Sequence, residues 1–449
     1  MSDFDPLHDR AYTERLTALG EKREIIASED IFNEQGVLLV KKGSPINQKI
    51  ADKIIRFKLI KPIESSVDVE NSVSGQELFK DLTTSFRRYP QVHLIHQRSN
   101  TESLLKHFCT QYNGFSIIRQ KLTVMREQMS KLYWQSIGVT WLSVLIADRM
   151  RMTETQIETC FFAGLCHDIG MMHIDPQIVS KAEALTAAEW RQIQAHTVIS
   201  QKLVQSIHGL KPAVARAVLE HHERCDGTGY PHGKFSDQLT MESQVLALAE
   251  SAIAVYTNRL IPQGRGLRDL MPLLQVNSES HFYDTYKALI LVLRDAGLDE
   301  KPFISAATLE AEINRVRQKN DQLSHMLQGL EALISRLKEQ NEHKLLVSAK
   351  TVLIQILRIV RGSGILDDGY LRWLEQVKQE KLEFAYREVD DVSLMLDEIE
   401  WHMLRIKKML DSFLECAPAQ AADLKNVIRE GLESVTVTTG GKLDEYSIN

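Results

Sequence analysis

The chain is poor in the features that would place it in several large protein classes. Its 449 residues hold five cysteines (Cys109, Cys160, Cys166, Cys225 and Cys416), none spaced as a CxxC pair. An odd count without such pairs argues for a reducing compartment. Long apolar runs are also missing. The longest, Ile137 to Ala147, contains Thr140 and Ser143 and is too short to cross a bilayer. The opening residues Met1 to Asp5 are acidic and lack the apolar stretch of a signal peptide, so a soluble, cytoplasmic protein without membrane insertion is expected. Charge of one sign is lacking too: 54 Lys and Arg stand against 60 Asp and Glu, a net charge of −6. This balance gives no general attraction to nucleic acid, so any nucleotide site must be local.

What is present divides the chain into unlike stretches, and the reading is a mostly α protein. Residues 1–66 read as a small α/β module. Ile25-Ile26, Asp30-Ile31-Phe32 and Val37 to Val40 suggest strands about a turn at Asn33 to Gly36, and Asn47 is placed to cap a short helix. Residues 67–109 are a polar, then helical, connector, and residues 110–300 an all-helical domain. Thr153-Glu154-Thr155-Gln156 and Thr186-Ala187-Ala188-Glu189 are capping boxes that open two of its helices. Pro212 fits the first turn of a third. Over residues 305–345, Ile313, Asn320, Leu327, Ile334 and Asn341 recur every seven residues, with Val316, Leu323, Leu330 and Leu337 between them. These are a and d positions of a coiled coil, and asparagines at a predict a register-fixed parallel homodimer; an amphipathic helix docked on its own domain is the alternative. Residues 346–434 read as helical, and 435–449 as a disordered tail.

The chemistry gathers in two clusters, Cys166-His167-Asp168-Ile169-Gly170 and His221-His222-Glu223-Arg224-Cys225-Asp226-Gly227-Thr228-Gly229-Tyr230-Pro231, with His196 between them. Imidazole and carboxylate bind borderline and hard divalent metals. A His-Asp pair, a single His and a His-His pair are hard to obtain in this order from ordinary core packing. Gly170 is placed to end the first helix with a positive φ.

This order resembles the HD-GYP family of the HD phosphohydrolases. The likeness extends through Ile178-Val179-Ser180-Lys181, Leu185-Thr186, Glu189-Trp190 and Val245 to Glu250, covering residues 110 to 300. It implies two or three divalent metal ions, Fe or Mn, and phosphodiesterase action on cyclic di-GMP, yielding pGpG and GMP. It implies Asp168 as a bridging carboxylate, His167 on one ion, and His196, His221 and His222 on the other, with Glu250 as a further ligand. Asp226, Gly227, Gly229, Tyr230 and Pro231 would shape the substrate edge. Arg224 and Lys181 would neutralise phosphate charge beside the catalytic Asp168.

Three positions depart from the family. Its first histidine falls on Gln135, a weaker donor; the lysine after His-Asp-Ile-Gly is Met171; and the aspartate after the GYP turn is Glu250. Gln135 or His173 is the candidate to complete the second ion's ligands. Two alternatives to the enzyme reading follow: a degenerate domain that binds metal, nucleotide or a GGDEF-type partner protein without turnover, and a phosphohydrolase for another nucleotide.

Overall fold

The computed structural model describes residues 5, 9–20, 22–183, 185–337, 343–416 and 422–434; the expected tail and Asn341 lie outside them. At the N-terminal end, helix α1 (Arg10–Leu19) precedes strands β1 (Ile25–Ala27), β2 (Ile31–Phe32) and β3 (Leu38–Val40), helix α2 (Gln48–Ile55) and strand β4 (Val67–Val69). The hairpin is β2–β3, turning at Asn33 to Gly36, whereas β1 pairs antiparallel with β4, Ile25 opposite Val69. The strand-bearing unit thus closes three residues beyond the expected boundary at 66. Asn47 caps α2 by accepting the Ile50 amide at 3.1 Å. This unit has no core of its own. Tyr12, Leu16 and Leu19 of α1 join one apolar core with Ile118 and Leu122 of the central domain.

The connector contributes α3 (Gly75–Arg88), α4 (Pro90–Ser99) and α5 (Glu102–Tyr112). The central domain follows with α6 (Ser116–Gln128), α7 (Ser130–Arg149), α8 (Glu154–Cys166), α9 (Pro176–Val179), α10 (Ala187–Gln194), α11 (His196–Ser206), α12 (Pro212–Glu220), α13 (Met241–Val255), α14 (Leu270–Val276) and α15 (Tyr283–Asp295). Helix α7 is the central rod: Val139, Trp141, Leu142, Val144, Leu145 and Ile146 bury almost its whole girth, as expected of a helix apolar all round. Each such side chain contributes about 1.5–3 kcal/mol by leaving water. Helix α8 crosses it closely at Gly164, where a Cβ would lie 2.7 Å from the Thr140 Cα. Both predicted capping boxes form, on Thr153 and Thr186.

The C-terminal helices are α16 (Leu309–Arg336), α17 (Lys344–Ser363), α18 (Asp368–Glu380), α19 (Tyr386–Cys416) and α20 (Ala422–Ser434). Here the coiled-coil expectation for 305–345 is corrected. Ile313, Val316, Leu323, Leu327, Leu330 and Ile334 of α16 are buried in a second apolar core with Val352, Leu374, Leu396, Met403 and Ile428 of this same chain. Asn320 donates to the Ile365 carbonyl at 3.0 Å. Among the described residues the heptad face is buried within the chain, as in an amphipathic helix docked on its own domain. No helix among the described residues is long and apolar enough to cross a membrane.

Candidate metal centre

Three helix ends and the body of a fourth helix bring the cluster together. His167 is the C-cap of α8 and Asp168 follows it; His196 opens α11; His221 is the C-cap of α12, with His222 next; Glu250 projects from α13. All six side chains are buried. Three rings are held alike: Nδ1 of His167 donates to the Gly164 carbonyl at 2.8 Å, Nδ1 of His196 to Ile193 at 2.6 Å, and Nδ1 of His221 to Val218 at 2.5 Å. Each carbonyl belongs to the last turn of a helix, where acceptors lack an intrahelical donor. In a neutral ring a proton committed at Nδ1 leaves Nε2 as a lone pair, the form in which imidazole binds metal.

Those lone pairs converge. His196 Nε2 lies 3.2 Å from His221 Nε2, and the ligand atoms of His196, His221 and His222 lie within 4.8 Å of one another. Asp168 sits between two rings, Oδ1 3.3 Å from His196 Nε2 and Oδ2 3.3 Å from His167 Nε2. Glu250 lies 3.5 Å from His222 Nε2 and 4.0 Å from His221 Nε2. His167 Nε2 and Glu250 Oε2 are buried without a hydrogen-bond partner. Burial holds the His196 ring below its ordinary pKa against the pull of Asp168, and holds His221 far below it with the help of the neighbouring imidazoles. Both rings are then neutral, and two neutral rings meeting lone pair to lone pair repel unless a cation lies between them. Two nitrogens each about 2.1 Å from one ion stand roughly 3.0–3.4 Å apart at tetrahedral to octahedral angles. The residues fit a divalent ion. Around it, burial pushes the Glu250 carboxyl up to about 8, reinforced by Asp168; Asp168 itself, although buried, is held well below the carboxylate range by His167, whose own pKa it raises, against burial, to about 9.

The other expected site residues fall differently. Gln135 is half-buried on α7, and its side chain makes no hydrogen bond among the described residues. His173 is corrected as a candidate ligand: Asp9 takes its Nδ1 and the Lys121 ammonium lies 3.0 Å from its Nε2, so both nitrogens are engaged elsewhere. Arg224 turns inward, donating to the carbonyls of His221 at 3.2 Å and Glu223 at 3.0 Å and to Ser251 Oγ at 3.3 Å. Lys181 is held by Glu189 at 2.7 and 2.8 Å. Met171 packs on the apolar core. In the loop, Asp226 Oδ1 accepts the Thr228 amide at 2.9 Å, Tyr230 stacks on His222 at 4.5 Å, and Pro231 follows it half-buried. Gly227 has φ +75°, and a Cβ on Gly229 would come within 2.4 Å of the His222 carbonyl. Gly170 proves to be needed for contact, since its φ is not positive: a Cβ there would lie 2.3 Å from the His196 carbonyl.

Two residues escaped sequence reasoning. Glu223 is fully buried and accepts the amides of His232 at 2.7 Å, Gly233 at 3.2 Å and Lys234 at 2.9 Å, closing the loop beyond Pro231. A glycine-rich turn leaves amides in want of acceptors, and an acid directly after the His-His pair was the signal. Ser200 Oγ accepts the Gly170 amide at 2.8 Å, tying α11 to the His-Asp turn.

With this geometry in view, comparisons agree on the domain. A family model described as HD domain matches residues 116–285. A cyclic di-GMP phosphodiesterase of Thermotoga maritima is 31% identical over 163 residues, 35% of this chain and 44% of that protein. One from Pseudomonas aeruginosa is 28% identical over 132 residues, 29% of this chain and 32% of that one. A 3'3'-cGAMP-specific phosphodiesterase of Vibrio cholerae is 31% identical over 115 residues, 26% of this chain and 25% of that one. The chain therefore spans less than half the length of these curated relatives. Among solved structures, an HDG"Y"P protein from Bdellovibrio bacteriovorus matches with a TM-score of 0.32 at 14% identity, covering 60% of this chain and 95% of that one.

Proposed function

We propose, from the premise that residues 116–285 are an HD domain of the HD-GYP kind, that this protein is a metal-dependent phosphodiesterase hydrolysing cyclic di-GMP to pGpG and GMP. The observation that carries the reading is the 3.2 Å meeting of His196 and His221, two neutral rings whose Nε2 lone pairs need a cation. His196, His221 and His222 with one oxygen of Asp168 would hold one ion; His167 with the other oxygen of Asp168 would hold a second, and Glu250 supplies a further carboxylate. Mixed imidazole and carboxylate donors suit Fe or Mn, which are the ions proposed. When bound, such ions make water a nucleophile near neutral pH and draw charge from the phosphoryl oxygens.

The chain's own residues do the rest. Asp168 offers an oxygen to each side of the centre. Arg224 fixes the backbone that carries His221 and Glu223, so its part in catalysis is to position ligands. Lys181 can meet a phosphate only by exchanging Glu189 for it. Gly227, Gly229, Tyr230 and Pro231 present a close-packed edge beside the ligands, and Tyr230 holds His222 by stacking. Each hydrolysis forms one bond from water oxygen to phosphorus and breaks the bond to the ribose oxygen, which leaves with water's proton; one such step opens the ring to pGpG and a second yields GMP.

Gln135, whose side chain makes no hydrogen bond among the described residues, and Met171, packed against the core, favour a second reading in which the domain binds the dinucleotide without cleaving it. Metal analysis of the purified protein beside an assay for pGpG and GMP decides. Two ions and both products are expected from cyclic di-GMP, and 3'3'-cGAMP is the competing substrate to run alongside. Bound metal with intact dinucleotide would overturn the enzyme reading and leave the binding module.

A further inference from the structure

The C-terminal helices do not stand apart from the metal centre; they lie against the loop at its edge. On α17, Gln355 Nε2 donates to Asp226 Oδ2 at 2.9 Å, Arg358 pairs with Glu279 at 2.5 Å, and the Lys344 ammonium would lie 2.6 Å from a Cβ on Gly233. Glu279 belongs to the turn Ser278–Ser280, and the Ser280 carbonyl holds the Cys225 amide at 3.0 Å, directly before Asp226. On α19, His402 lies 3.0 Å from the Asn277 side chain at the start of that turn. Arg405 is three residues further along, on the same helical face.

Arg405 is unlike the arginines that pair across the same two sets of helices. Arg259, Arg265, Arg268 and Arg387, which join the central and C-terminal helices, each have a carboxylate: Glu398, Asp390, Asp391 and Asp269 respectively. Arg405 has none among the described residues. It is half-buried, rests 5.7 Å from the Trp401 ring, and its charge feels Asp226 and Arg224 of the loop. Asp226 acts on this guanidinium only through its charge and makes no salt bridge with it, and a planar fork left open in this way suits phosphate.

We propose that the C-terminal helices form the outer wall of the substrate site and that Arg405 is its phosphate-binding residue. A cyclic dinucleotide carries two phosphodiesters. One would lie at the metal centre, and the other, across the macrocycle, meets Arg405. This rests on the cyclic dinucleotide reading of the centre and adds to it a substrate contact from outside the HD domain.

The test compares the full-length wild type, Arg405→Ala and Arg405→Lys. Loss of a charge-assisted phosphate contact should raise KM for cyclic di-GMP about ten- to hundredfold with kcat far less changed. The lysine variant, which keeps charge but not the fork, should recover part of the loss, and metal content should match wild type. The loss should fall far more heavily on cyclic di-GMP than on bis(p-nitrophenyl) phosphate, which has one phosphodiester and cannot span to the wall. Equal losses on both substrates, or an unchanged KM, overturn the proposal. Equilibrium binding of cyclic di-GMP separates the two readings. A wild type that binds without cleaving, with binding weakened in Arg405→Ala, keeps the wall and sinks the phosphodiesterase. Equal binding by both proteins sinks the wall whatever the turnover, and no binding by wild type sinks both.

Discussion

Two buried polar clusters flank the short turn Ile169–His173, and they solve the same electrostatic problem in opposite ways. On one side, Asp9, Glu64, Lys121 and His173 form a closed set. The Lys121 ammonium lies 3.3 Å from Glu64, 3.0 Å from His173 and 3.2 Å from the centre of the Tyr12 ring, and Asp9 holds the other face of His173. On the other side, four imidazoles and two carboxylates converge, and among the described residues no lysine or arginine forms a salt bridge with either carboxylate. One cluster carries its own cation; the other requires one from solution. A buried histidine is therefore diagnosed as a metal ligand less by its burial than by what faces its second nitrogen.

Four experiments would break or sharpen that contrast. His221→Ala should abolish metal binding at its ion and lower turnover by more than about 100-fold, since even the partners of metal ligands are worth 10–100-fold. Metal analysis beside the product assay checks it, and full metal with normal turnover would remove His221 from the centre. Lys121→Met should do the reverse, keeping metal content while costing about 3–5 kcal/mol in denaturant unfolding, because Glu64 and Asp9 lose their buried cation. A parallel loss of metal would make the two clusters a single system. Asn320→Leu extends the contrast to the C-terminal core, where the one buried amide of α16 serves the Ile365 carbonyl. It should destabilise the protein by about 1–3 kcal/mol through that orphaned acceptor; a dimeric coiled coil would instead be stabilised, so the sign alone discriminates.

The smallest effect is one of pH. Burial, with Lys121, holds His173 below its ordinary 6.5, and Asp9, although burial opposes it, is held below 3.8 by His173. The unfolded chain thus takes up protons first. Stability from His173 is complete above about pH 6.5 and is lost as pH falls, by at most about 1.4 kcal/mol per pH unit, with Asp9 adding to the loss below about 3.8. Urea unfolding between pH 7 and 5 should be flatter for His173→Gln than for wild type; identical slopes would show that His173 is not the group titrating.

The motifs that can be read locally were read well. Capping boxes need four adjacent residues, and both form; the histidines and the Asp168 carboxylate that converge are visible because each lies at a helix end whose chemistry is local in sequence. What could not be read was the partner of each surface. The heptads of α16 state that one face is apolar, and this chain's own α17, α19 and α20 satisfy that face as well as a second copy would. His173 looks like a ligand beside His167 and Asp168, and only a lysine 52 residues earlier and an aspartate near the N-terminus show otherwise. Gln355 and Arg405 lie so far along the chain from Asp226 that no spacing rule connects them.

The rings of His167, His196 and His221 also act as covers for the helix ends that carry them. Their Nδ1 protons occupy carbonyls that would otherwise lack donors, and this contact does not depend on what sits at Nε2. Removing the ions would then disturb charge without releasing the rings from their tautomer or aim. A chelated sample should keep its helix termini protected from hydrogen exchange and regain metal in a single fast phase, unlike small zinc domains, which must refold to reload.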